Sequence, residues 1–132
     1  MKDTIPLRAP AIRPLVLIVD DDRSVRDSLA AVMEAFGFRT RTACNGAEGL
    51  TAVAAEEPSA IITDLQMPEM SGFEMMTALR RTRTGIPVIV ISGSSAQDID
   101  AARHLGAAAA FNKPLPVFEM IDAVCGLTTR AA

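Results

Sequence analysis

Four places in the 132-residue chain carry side chains that could do chemistry together: the acidic run Asp20-Asp21-Asp22, the isolated Asp64, the Ser92-Gly93 pair and Lys113-Pro114. Carboxylates about 4 Å apart repel by ~4 kcal/mol at an effective dielectric of 20. A group containing Asp20, Asp21 and Asp64 is therefore poorly stable without a counter-charge. Oxygen ligands from a few carboxylates plus water suit Mg2+, a hard cation. Lys113 adds positive charge without occupying a metal site. Once its charge is balanced, Asp64 can act as a nucleophile toward phosphorus and form an aspartyl phosphate. Phosphoryl transfer asks mainly for positioning and charge neutralisation, which a cation, an ammonium and a hydroxyl supply. Ser92 is suited to hydrogen-bonding a phosphoryl oxygen, and Gly93 lets backbone approach it.

These groups meet only if the chain between them folds in a particular way. Leu15-Val16-Leu17-Ile18-Val19 is an unbroken apolar, β-branched-rich run that ends at Asp20, the pattern of a strand covered on both faces. Val25, Leu29, Val32, Met33 and Phe36 recur at helical spacing until Gly37 stops the helix. Phe38 to Ala43 alternates as a short strand, and Asn45 with Glu48 opens a helix that Pro58 closes. Ala60 to Asp64 is the third strand, and Ser71-Gly72-Phe73-Glu74 is a capping box for a helix through Leu79. Ile86 to Ile91 is the fourth strand, with Pro87 at its start. Ser95 and Asp98 begin a helix to Leu105, Ala109-Ala110-Phe111 is a brief fifth strand, and Pro116 to Leu127 a final helix.

Strictly alternating strands and helices imply a parallel sheet, because parallel strands need crossovers. The order 2-1-3-4-5 puts the most apolar strands inside and leaves the strand bearing Arg39 and Arg41 at an edge, where charge discourages aggregation. The expected fold is a doubly wound five-stranded parallel α/β sheet with five helices, flavodoxin-like. Its site belongs at the carboxyl ends of the strands, and every residue singled out above falls there. The boundaries expected are an extended arm over 1–14, rich in proline and weakly basic, a domain over 15–127 and a tail over 128–132. A docking role for the arm is the alternative to a plain extended segment.

Composition narrows the function. With 13 basic and 16 acidic residues the net charge is −3, which argues against direct nucleic-acid binding by bulk electrostatics. Cys44 and Cys125 match no metal or redox spacing and read as reduced thiols of a cytoplasmic protein. No apolar run reaches the roughly 18 residues a membrane span needs. Asp22 reads as a helix cap, His104 as a solvated side chain, and Met67, Met70, Met75 and Met76 as packing.

The motifs LVLIVDDD at 15–22, IITDLQMPEMSGFEMM at 61–76, PVIVISGSS at 87–95 and AFNKPL at 110–115 resemble those of the receiver domain of two-component response regulators, chemotaxis receivers included, over roughly Pro14 to Leu127. The resemblance implies that Asp64 is the phosphoacceptor of a phosphorelay. Its phosphate would come from a sensor histidine kinase or phosphotransfer protein and be signalled on to a downstream protein target. It implies that Asp21 ligates Mg2+ directly, that Asp20 helps hold it, often through water, and that Gln66 offers its backbone carbonyl. Ser92 would be the switch hydroxyl and Lys113 the phosphoryl-binding cation, preceding a cis Lys113-Pro114 bond. One position departs from the pattern. Where receivers carry Tyr or Phe, three residues before the lysine, this chain has Ala110, and the neighbouring Phe111 points to the opposite face if the strand alternates. The usual coupling of hydroxyl to aromatic ring is therefore expected to be absent or altered, with shifts between Gly93 and Leu105 carrying the output.

The expectation is a signalling switch, monomer or weak dimer, that catalyses only its own phosphorylation and dephosphorylation and touches no membrane. No output domain is recognisable after Leu127, so a stand-alone receiver is expected, with a receiver cut from a larger DNA-binding regulator as the alternative. From another class, Asp20-Asp21-Asp22-Arg23-Ser24-Val25 resembles the first motif of haloacid-dehalogenase-type phosphatases. That reading leaves Asp64 without a role.

Overall fold

The computed structural model describes residues 13–67, 69–82, 85–93 and 96–129. Its strands are β1 (Leu15–Val19), β2 (Arg39–Ala43), β3 (Ala60–Asp64), β4 (Val88–Ser92) and β5 (Ala109–Asn112). They alternate with helices α1 (Arg23–Ala35), α2 (Gly46–Ala55), α3 (Gly72–Thr82), α4 (Ala96–His104) and α5 (Val117–Thr129). All neighbouring strands pair in parallel, in the order β2-β1-β3-β4-β5. The apolar runs of β1, β3 and β4 are buried along their whole length, as strands covered on both sides must be.

Side-chain alternation divides the interior into two cores. Leu17, Val19, Ile61 and Val90 pack with Val53 of α2, Met75, Met76 and Leu79 of α3, and Ile99 and Ala102 of α4. On the other face Val16, Ile18, Ile62, Ile89 and Ile91 pack with Leu29 and Met33 of α1 and Met120, Ile121 and Val124 of α5. Met67 and Met70 lie against the first core, so the methionines are packing residues.

Local signals start the first three helices as expected. Asp22 caps α1, its side chain accepting from the Ser24 amide. Ser71 and Glu74 form a complete capping box, each side chain bonded to the other's backbone N–H at 3.2 and 2.9 Å. At α2, Asn45 accepts from the Glu48 amide, but Glu48 returns its bond to Cys44 rather than to Asn45.

Several differences concern ends: the fourth strand, expected over Ile86 to Ile91, runs Val88–Ser92, and three others lie at helix ends. Phe36, expected on the apolar face of the first helix, is 52% exposed at its C-terminus, beyond the reach of the core that Leu29 and Met33 enter. Helix α3 continues past Leu79 through Arg80 and Arg81 to Thr82, because basic residues in the last turn suit the helix dipole even where apolar periodicity has ended. Helix α5 runs to Thr129, two residues beyond Leu127, with the buried Thr128 hydroxyl donating to the Val124 carbonyl at 2.8 Å. The arm at 1–12, Ser95 and the last residues 130–132 lie outside the described residues.

Strand β2 forms one edge. There Glu56 bridges Arg39 at 2.6 Å and Arg41 at 3.8 Å. Among the described residues, no helix is long and apolar enough to cross a membrane.

Candidate functional site

At the carboxyl rim of the sheet, β1 runs into Asp20 and Asp21, β3 ends on Asp64, β4 on Ser92, and β5 leads into Lys113. The register sets Asp64 beside Ile91 and Ser92 beside Asn112, and the Lys113 amide donates to the Ser92 carbonyl at 2.8 Å. Carboxylate oxygens of Asp20, Asp21 and Asp64 lie within 4.8 Å of one another. The Lys113 ammonium stands 3.5 Å from Asp64 Oδ2 and 3.7 Å from Asp20 Oδ2. Thus residues from three separate strand ends meet, as the sequence required. Ser92 is fully buried at the same rim, and the Lys113-Pro114 bond is cis.

Asp64 is held in a defined orientation. Its Oδ1 accepts from the amides of Leu65 at 2.7 Å and Gln66 at 3.4 Å, which leaves Oδ2 facing the lysine. Gln66 is exposed in the loop between β3 and α3. That loop is closed by the Gly72 amide donating to the Leu65 carbonyl at 3.0 Å. Asp21 is exposed, whereas Asp20 is only 1% exposed.

Asp20 is the group out of electrostatic balance. Its Oδ1 accepts from the Asp22 amide at 2.9 Å, while Oδ2 is buried with no hydrogen bond. Burial pushes its carboxyl above the ordinary 3.8, and the charges of Asp64 and Asp21 add to that, against the Asp22 amide and Lys113. Three carboxylates, one with a buried oxygen that accepts no hydrogen bond and has only the Lys113 ammonium at 3.7 Å for charge balance among the described residues, fit a divalent cation well. Asp20→Asn removes a poorly compensated buried charge. We expect it to stabilise the metal-free protein by on the order of 1 kcal/mol and to blunt the rise in melting temperature on adding Mg2+. Thermal melts with and without the ion check both; a variant less stable than wild type in chelator would contradict this.

Other expectations resolve from packing. Ala110 joins the first core, on the side that Val88 and Val90 share with alternating Ser92, while Phe111 packs with the second core beside Ile91. The ring therefore lies across the sheet from the Ser92 side chain. His104 is exposed, with Nδ1 2.9 Å from the Asp100 carbonyl oxygen. A 460 Å³ depression lined by Glu57, Pro58, Ser59, Gly85, Ile86, Pro87 and Leu127 sits at the opposite rim and includes none of the acids.

Sequence reading missed two polar supports. The Arg26 guanidinium donates to the Asp20 carbonyl at 2.8 Å, and the Asn45 side-chain amide donates to Glu69 Oε1 at 3.1 Å. Arg26 lies four residues, about one helical turn, past Asp22, a weak signal in the sequence. Asn45 was legible only as a cap.

Comparison with known proteins agrees with this fold. A family model described as response regulator receiver domain matches residues 16–125. The transcriptional regulatory protein PrrA of Mycobacterium tuberculosis is 38% identical over 118 residues, 89% of this chain and 51% of that protein. Response regulator MprA of Mycobacterium avium is 32% identical over 116 residues, 87% of this chain and 51% of that protein. This chain thus spans about half the length of these curated relatives. Among solved structures, the receiver domain of Francisella response regulator 1452 superimposes with a TM-score of 0.85 at 27% identity, covering 91% of this chain and 100% of that one. A response regulator receiver protein from Pseudomonas putida gives 0.83 at 28%, covering 89% and 99%.

Proposed function

Because the chain belongs to the response regulator receiver domain family, we propose that it is a phosphorylation-driven switch. It takes a phosphoryl group from a phosphohistidine of a sensor histidine kinase or phosphotransfer protein onto Asp64. The observation that carries this reading is the meeting of Asp20, Asp21, Asp64 and Lys113 at one rim. An Asp64 oxygen forms the new P–O bond as the donor's P–N bond breaks, the leaving imidazole keeping the electron pair. Backbone N–H bonds to Oδ1 fix the carboxylate so that Oδ2 is presented. Lys113 neutralises phosphoryl charge, and the Ser92 hydroxyl bonds a phosphoryl oxygen. Asp20, Asp21, Asp64 and the Gln66 carbonyl would hold Mg2+, which when bound neutralises charge on the transferring group.

The test is acetyl phosphate plus Mg2+ with intact-mass detection. Stoichiometric labelling supports the switch. Steady release of phosphate from small phosphomonoesters, without a labelled protein, would instead support the hydrolase of haloacid-dehalogenase type. That alternative gives Asp64 no part, although Asp64 lies inside the acid cluster. On our reading the chain turns over only its own acyl phosphate, in the cytoplasm, as a monomer or weak dimer.

The added charge and acceptor oxygens bias a loop-and-helix surface that a downstream protein reads. With Ala110 beside Val90 on the Ser92 face and Phe111 across the sheet, the relay runs through residues 93–105 without an aromatic ring. We expect beryllofluoride to shift backbone amide resonances of that segment while the Phe111 ring signals stay put. A ring moving in beside Ser92 would refute this route. A second setting is favoured by the half-length match: the receiver portion of a longer transcriptional regulator. In that setting, nucleic-acid contacts belong to the other half, in keeping with the net charge of −3 here. The mass of the native protein in cell extracts separates the two settings.

A further inference from the structure

Two loops that carry no reacting group are fastened to each other beside the site. Cys44-Asn45 connects β2 to α2, whose first residue is Gly46, and residues 65–71 connect β3 to α3. Asn45, 8% exposed, uses both ends of its amide: Oδ1 accepts from Glu48 N at 2.9 Å, and Nδ2 donates to Glu69 Oε1 at 3.1 Å. Next to it, the Gly46 amide donates to the Met70 carbonyl at 3.0 Å. A Cβ at Gly46 would stand 2.7 Å from Met70 Cγ and 2.9 Å from its carbonyl oxygen, so the two backbones approach as closely as glycine permits.

Glu69 has φ +69, left-handed backbone that non-glycine residues adopt only when their surroundings impose it. Its bond to Asn45 is one such constraint, and the loop so pinned includes Gln66, whose amide contacts Asp64. At its other end the connection reaches Asp20, whose amide donates to the Ala43 carbonyl at 3.1 Å. We propose that Asn45 is a positioning residue for the phosphoryl-transfer site, its bond to Glu69 setting the loop that follows Asp64 relative to the acids after β1. This rests on the function proposed above.

The substitution Asn45→Asp separates this role from helix capping. Aspartate is an equally good cap acceptor, but it sets a carboxylate against Glu69. Adding Glu69→Gln restores a donor–acceptor pair in reverse. The readouts are labelling rate with acetyl phosphate, Mn2+ affinity by electron paramagnetic resonance as a metal probe, and amide shifts of residues 65–71. We expect the single variant to lose on the order of fivefold in rate and in metal affinity, the scale on which neighbouring residues couple. Its amide shifts should change throughout the loop, and the double variant should return to within about twofold of wild type. Thermal melts check that both are folded. A folded Asn45→Asp protein with wild-type rate and affinity overturns the inference, and so does a loss that Glu69→Gln fails to reverse. If wild type itself takes no label, the proposed function fails instead, and the metal affinity and loop shifts still decide the role of Asn45.

Discussion

Asp64→Asn is expected to abolish labelling by acetyl phosphate, whereas wild type should gain one phosphoryl group per chain. This is the largest effect expected of any single change here. The amide is nearly isosteric and keeps an acceptor for the Leu65 and Gln66 amides that now hold Oδ1. What it loses is a carboxylate oxygen able to form an acyl phosphate, and with it the charge that faces Lys113 at 3.5 Å. The fold should persist, since the variant also relieves repulsion with Asp20. Intact-mass spectra of both proteins after identical incubation decide the matter. Equal labelling would move the acceptor elsewhere and undo the assignment.

Gly72→Ala is expected to damage fold and site together. A Cβ there would lie 2.2 Å from the Asp64 carbonyl oxygen and 3.0 Å from Leu65 Cα, both backbone atoms that no rotamer change can move aside. The Gly72 amide also closes the loop onto the Leu65 carbonyl, so the first turn of α3 cannot simply back away without losing that bond. Overpacking of a rigid contact costs about 3 kcal/mol or more, which for a domain of this size lowers the melting temperature by roughly 10 °C. Because the displaced atoms belong to Asp64 and Leu65, phosphorylation should fall further than the loss of folded protein explains. Melting curves and labelling rates at a temperature where the variant is folded measure the two effects separately. A variant as stable as wild type would mean that the helix start adjusts freely.

The fold was legible because each central strand announces itself. Leu15 to Val19, Ala60 to Asp64 and Ile86 to Ile91 are short apolar runs bounded by acids, glycine or proline, and alternation with helical segments leaves few ways to pair them. The site was legible for the same reason: Asp20, Asp64, Ser92 and Lys113 each sit at a strand end, so fixing the sheet fixed their meeting. Helix ends were less clear, since Arg80 to Thr82 and Thr128 to Thr129 continue helices without apolar periodicity. Loop-to-loop bonds were not legible at all. The contact of Asn45 with Glu69 crosses 24 residues and depends on a left-handed backbone at a glutamate, a conformation no periodic pattern encodes.

The guanidinium pair along β2 has a consequence for how copies of this protein behave in company. Arg39 holds the Glu56 carboxyl below its ordinary 4.5, mainly through their hydrogen bond. A carboxylate lowered in this way adds stability that is complete above 4.5 and disappears as the medium is acidified through the lowered value. Glu56→Gln should therefore flatten that part of the acid-unfolding curve, measured by circular dichroism. The same ribbon is an open sheet margin guarded by ions rather than by a covering helix. Concentrated salt screens such guards within a few ångströms, so colloidal attraction between molecules should strengthen in brine and weaken in dilute buffer.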